Sequence, residues 1–90
     1  LLVVDLDGAL VASNPAAIAW CGLPSGELRG RRLEDLVSWP QLHHALHACR
    51  AGAGVQHFDL AAIAGNGRDL AVRVTPLPGV GCVVGIDDQS

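Results

Sequence analysis

The chain contains no lysine, no tyrosine and no methionine, and its aromatic complement is one Phe and two Trp in 90 residues. With lysine absent, all six basic side chains are arginines, Arg29, Arg31, Arg32, Arg50, Arg68 and Arg73, set against nine acidic residues for a formal net charge of −3. Only Arg29, Arg31 and Arg32 cluster, and Glu34 and Asp35 follow them at once. A nucleic-acid partner held on a basic face is therefore not expected. Long apolar runs are also missing, so no stretch approaches the ~20 residues of a membrane-spanning helix, and insertion of this segment into a membrane is not expected. Cysteine is scarce and odd in number. Cys21, Cys49 and Cys82 stand 28 and 33 residues apart with no C-x-x-C pair, which excludes a zinc knuckle or a vicinal redox couple. They read as reduced thiols packed as small hydrophobes, in keeping with a cytoplasmic location.

What remains is a chain that should fold. Half of it is apolar, and eleven Gly and five Pro fall short of a disordered or collagenous composition. A chain of this size buries only roughly 60–65% of its unfolded surface, enough for one core and no second domain.

The order of elements follows from local signals. Leu1 to Val4 is an apolar, β-branched run that meets Asp5-Leu6-Asp7-Gly8, where Asp-Gly suits a hairpin turn, and Ala9 to Ser13 returns as a second strand. Asn14-Pro15 then opens a two-turn helix through Cys21, with Asn14 as cap, Pro15 at the first position and Gly22 as stop. Two one-turn helices are expected next, one at Pro24-Ser25-Gly26-Glu27-Leu28 and one at Leu33 to Val37. Ser38-Trp39-Pro40 opens the longest helix, whose Leu42, Ala45, Leu46 and Cys49 fall at i, i+3, i+4 and i+7 before Gly52 and Gly54. The period then changes to two. Val55 to Ile63 reads as a strand, Gly65-Asn66-Gly67 as a reversal, and Leu70, Val72 and Val74 as one face of the returning strand, which Pro76-Leu77-Pro78-Gly79 should break. A last strand, Cys82 to Ile86, ends at Asp87-Asp88.

The predicted order is β-β-α-α-α-α-β-β-β. Grouped helices exclude a parallel βαβ design and favour an α+β architecture, with five antiparallel strands and the helices covering one face. The N-terminal hairpin should join the C-terminal meander in that sheet.

Several segments in this order resemble the PAS sensory domain family. Val11-Ala12-Ser13-Asn14-Pro15-Ala16-Ala17 is similar to its strand-to-helix junction, and Gly22-Leu23-Pro24-Ser25-Gly26-Glu27-Leu28-Arg29-Gly30-Arg31 resembles its G-x-x-x-x-E-L-x-G-x stretch. Gly65-Asn66-Gly67-Arg68 stands where the family has a K-D-G-R hairpin, Val72 to Leu77 follows as the next strand, and Ile86-Asp87-Asp88-Gln89-Ser90 resembles the terminal V-R-D-I-T. The resemblance runs over the whole chain and lies in order and spacing, since each piece alone is a structural device. It implies a sensory module excised from a longer cytoplasmic signalling chain. The overall pattern is most similar to the sensor module of bacterial histidine kinases of the nitrogen-regulation type. Homodimerisation and contact with a downstream output domain are the implied partnerships.

Candidate chemistry is sparse. Asp5-Leu6-Asp7-Gly8 at a strand end resembles the nucleophile motif of haloacid-dehalogenase-type phosphatases, with Asp5 as nucleophile, Asp7 as acid/base and Asp87-Asp88 as further Mg²⁺ ligands. Ala9 replaces the motif's Thr, no lysine serves the phosphate, and the chain is too short for the alternating core that chemistry needs. At 100° per residue, His43, His47 and Arg50 share one flank of the long helix and His44 points away from its apolar stripe. His43 and His47 are an i, i+4 pair with no third ligand close in sequence, so no metal is expected. The resemblance puts the axial histidine of haem-binding members on this helix, near His43 or His44. Three aromatics and a small-residue helix are meagre lining for a macrocycle, so no cofactor is expected. The adduct-forming cysteine of flavin-binding members has no counterpart in Gly30 to Leu36. Ser13, Ser25 and Ser38 read as caps rather than nucleophiles.

The reading that survives is a non-enzymatic regulatory module. Ile18, Leu36, Leu42 and Leu46 from the helices, with Phe58, Leu60, Val72, Val74, Cys82, Val84 and Ile86 from the strands, should enclose an apolar volume that either fills itself or admits a small ligand. Asp88 and Ser90 are the candidates for the signal exit, as capping or hydrogen-bonding groups at the start of the next element. The alternative to sensing is a purely structural dimerisation module with a filled core.

Overall fold

A computed structural model of the chain describes residues 1–23, 28–61 and 69–89. Strand β1 (Leu2–Asp5) turns into β2 (Leu10–Ser13) through a reversal held by Asp5, whose backbone exchanges hydrogen bonds with Gly8 and Ala9 and whose side chain adds two more. The Asp5 carboxylate oxygen Oδ1 accepts from the amides of Asp7 and Ala9, both at 2.9 Å, and Gly8 supplies the positive φ of 84°. Helix α1 (Pro15–Cys21) begins as its sequence dictates: Asn14 Oδ1 accepts from the Ala17 amide at 3.0 Å, and Gly22 ends it in the left-handed region. Single-turn α2 (Leu33–Leu36) and the eleven-residue α3 (Pro40–Arg50) complete the described helices. The one-turn helix expected at Pro24 to Leu28 falls largely on residues 24–27, outside the described residues.

Three strands follow, β3 (Gln56–Leu60), β4 (Leu70–Leu77) and β5 (Gly81–Asp88). All ladders are antiparallel and the sheet order is β2-β1-β5-β4-β3, so the N-terminal hairpin joins the C-terminal meander as expected. The fold is the five-stranded α+β architecture that the sequence predicts.

Some local expectations are corrected. Ser38 is exposed and does not cap α3; Trp39 is the cap residue, no side chain bonds there, and Pro40 at the first position sets the start. Pro76 does not break β4, which runs on to Leu77 with Pro76 opposite Cys82. The reason is positional. The β3 ladder ends at Gln56 and Val74, so beyond Val74 one side of β4 is an edge, where a residue without an N–H is tolerated. Of the predicted Val55 to Ile63, β3 leaves out Val55 and Ala61, while residues 62 and 63, like the Gly65-Asn66-Gly67 reversal, lie outside the described residues. β5 extends past Ile86 because Asp87 and Asp88 still pair with Ala71 and Leu70.

Alternation places the core. Leu2 and Val4 of β1, Leu70, Val72 and Val74 of β4, and Cys82, Val84 and Ile86 of β5 point to the helical side and are buried. The α3 stripe of Leu42, Ala45, Leu46 and Cys49 lies buried against them, with Leu33 and Val37 beside it. Each fully buried leucine there contributes about 1.5–3 kcal/mol of transfer free energy. On the opposite face Val3, Ala71, Thr75, Val83 and Gly85 are half-buried, while His57, Asp59, Arg73 and Asp87 are exposed.

Candidate functional site

The helical layer is tied down by two polar contacts on the flank of α3 that carries His43, His47 and Arg50. His43 Nε2 lies 2.7 Å from the carbonyl oxygen of Val37, which a protonated Nε2 satisfies as a donor across the link between α2 and α3. Arg50 donates through Nη2 to Glu34 Oε1 at 2.8 Å, and its Nε is 3.4 Å from the Leu46 carbonyl oxygen. Sequence patterning put His43 and Arg50 on this flank but missed both partners. Glu34 lies sixteen residues from Arg50, and only the packing of α2 against α3 brings them together.

The histidines divide accordingly. His43 is half-buried and engaged with Val37, whereas His44 and His47 are exposed. No group of three or more metal-ligating side chains occurs among the described residues. His44 lines an open groove of about 380 Å³ between the first turns of α3 and strand β3, together with Pro40, Ala45, His57 and Phe58.

The phosphatase-like motif takes a different role. Both amides that Asp5 Oδ1 accepts belong to its own turn, so the carboxylate closes a hairpin. Asp5 pairs with Gly81 at the start of β5, and antiparallel geometry carries Asp87 and Asp88 to the other end of the sheet, ~20 Å away. The two acidic pairs that the metal reading joins are thus separated.

Of the expected lining residues, Leu42, Leu46, Leu60, Val72, Val74 and Val84 belong to one buried cluster, with Leu42, Val74 and Val84 at 0% exposure. Cys82 and Ile86 join it, and Ile18, Leu36 and Phe58 pack against it as a partly buried margin. Phe58 and Val72 also border an open depression of about 430 Å³ at the β3, β4 and β5 side of the sheet, with Arg73 and Asp87. Of the two residues expected at the signal exit, Asp88 is half-buried opposite Leu70, and the Gln89 amide beside it donates to the Asp69 carbonyl oxygen at 2.6 Å. Ser90 lies outside the described residues.

The three cysteines are free and buried. Burial pushes the Cys21 thiol up to about 11. Cys82 is likewise pushed up to about 11, by burial first and then by the neighbouring Cys49 thiol, which sets the last turn of α3 against the start of β5. Nothing in the sequence signals that contact, because both cysteines occupy ordinary apolar positions.

The model of the PAS fold family matches residues 1–86. The chain belongs to the PAS fold family. No curated protein and no solved structure matches it. Membership supports a sensory or regulatory module in general terms, and domains of this family are generally non-catalytic. No helix among the described residues is long and apolar enough to cross a membrane.

Proposed function

We propose that this PAS domain is the sensory or regulatory module of a longer cytoplasmic bacterial signalling protein, a histidine kinase of the nitrogen-regulation type, and is not itself an enzyme. It acts through self-association and through contact with the output domain of its parent chain. The observation that carries this reading is the position of β5: it is the middle strand of the sheet, paired with β1 and β4, and it leads to Asp88 at the edge of the ordered ladder. Any change in the helical layer that alters packing on Val84 and Ile86 is felt by the strand that leaves the domain. A small apolar ligand, where one is sensed, is taken up against the apolar cluster that the partly buried Ile18, Leu36 and Phe58 each flank. Asp88 and Ser90 hold the exit. The test is Asp88→Ala in the full-length protein: output should lose its dependence on the stimulus, and an unchanged response contradicts the exit role.

A second reading, a dimerisation module with a self-filled core, is favoured by the complete burial of Leu42, Val74 and Val84. A purified domain that dimerises and carries no co-purifying small molecule supports it over ligand sensing.

A further inference from the structure

The two edges of the sheet are treated differently. The β2 edge is covered by the chain itself: the Leu10 amide donates to the Arg31 carbonyl at 2.8 Å, the Gly30 amide donates to the Leu10 carbonyl at 2.8 Å, and Ala9 bridges Arg32. The β3 edge has no such cover among the described residues, where the backbone of residues 56–60 pairs only with β4. An uncovered edge strand presents a row of backbone donors and acceptors to another strand.

The sequence of β3 selects its occupant. We propose that β3 pairs antiparallel with β3 of a second copy, in a two-fold register centred on Phe58. A register must keep inward residues opposite inward ones, because a one-residue slip reverses every side chain. Among the registers that do so, centring on His57 sets His57 against itself and loses the pairing of Leu60, while centring on Asp59 opposes two carboxylates. Centring on Phe58 pairs all of Gln56 to Leu60, sets His57 of each copy against Asp59 of the other, and brings the two Phe58 rings into a cross-strand aromatic pair. His57 and Asp59 are exposed on the outward face, and Phe58 is half-buried on the helical face beside the open groove at α3, so the approach is unobstructed there. The paired strands join two five-stranded sheets into one of ten. This interface deepens the self-association proposed above and rests on that reading. Five paired residues bury less than the ~1,000 Å² of a stable complex, so the dimer is weak and reversible.

The test is sedimentation equilibrium of the chain up to about 1 mM, the range in which such an interface is measurable. The wild-type chain should dimerise. His57→Asp, which opposes two carboxylates twice per dimer, should weaken dimerisation about ten-fold or more, and His57→Asp combined with Asp59→His, which restores both pairs in swapped order, should return it to near the wild-type value. Arg73, opposite His57 on β4, receives the introduced carboxylate within the same copy and keeps the single variant folded, which circular dichroism checks. A wild-type dimer indifferent to both variants places self-association elsewhere and overturns this interface alone. A chain monomeric throughout the range overturns both the interface and the self-association reading. A monomer whose β3 amides become protected only by an extended peptide of another sequence overturns it in favour of a foreign strand.

Discussion

Arg50 Nη2 lies 2.8 Å from Glu34 Oε1, joining the last turn of α3 to the single turn of α2. Both side chains are about a quarter exposed (25% and 26%), so solvent screens the pair. A double-mutant cycle with Glu34→Gln and Arg50→Met should give a coupling of about 0.2–1 kcal/mol. A coupling indistinguishable from zero in chemical denaturation contradicts a stabilising role for the pair.

The same arginine passes over the β1 and β2 turn. A Cβ added at Gly8 would stand 3.2 Å from Arg50 Nη1, at a φ of 84°. Gly8→Ala should therefore cost about 1 kcal/mol or more, partly relieved when Arg50 is shortened to Ala. Gly81 is a harsher case, because its Cβ would collide with the Val4 carbonyl oxygen, which is backbone and cannot yield. Gly81→Ala should lose about 3 kcal/mol or more, or fail to fold. Equal stability of the two variants in urea would contradict this ranking.

The turn role of Asp5 has its own signature. Asp5→Asn keeps an Oδ1 acceptor for the Asp7 and Ala9 amides and should change stability little, whereas Asp5→Ala leaves both without that partner and should cost about 1–2 kcal/mol. A nucleophile would give the opposite outcome, with Asp5→Asn abolishing a Mg²⁺-dependent phosphomonoesterase activity at unchanged stability.

The alkaline limb of stability belongs to the thiols. Without lysine or tyrosine, the cysteines are the side chains left to titrate between pH 9 and 11. Cys21 and Cys82 bind their protons more tightly in the folded chain, up to about 11 from an ordinary 9.0. Their contribution is whole below pH 9 and is lost as pH rises through the folded values, because the unfolded thiols ionise first. The denaturation midpoint should fall from pH 9 to 11 in the wild-type chain and fall less in Cys21→Ala/Cys82→Ala. Parallel profiles for the two proteins would contradict the assignment.

Much of the architecture was legible because local and long-range signals agree. Asn14, Pro15 and Gly22 bound α1 by local chemistry alone, and the i, i+3, i+4, i+7 stripe from Leu42 to Cys49 is the face that α3 buries. The misses have physical causes. Pro76 stops a strand only where its missing N–H would have been bonded, and whether β3 still flanks it there is a fact of register. The candidate lining residues were legible as a face, but alternation cannot say whether a face encloses space or fills it. Glu34 with Arg50, His43 with Val37 and Cys49 with Cys82 depend on how α2, α3 and β5 dock, which no local pattern in the sequence encodes.

The proposed mechanism turns on the last strand. Amide hydrogen exchange across Gly81–Asp88 in the full-length protein, with and without the stimulus that changes its output, measures that strand directly. The exit role of β5 predicts a change of protection there that accompanies the change in output and disappears in Asp88→Ala. Output that switches while protection across β5 stays constant would contradict it.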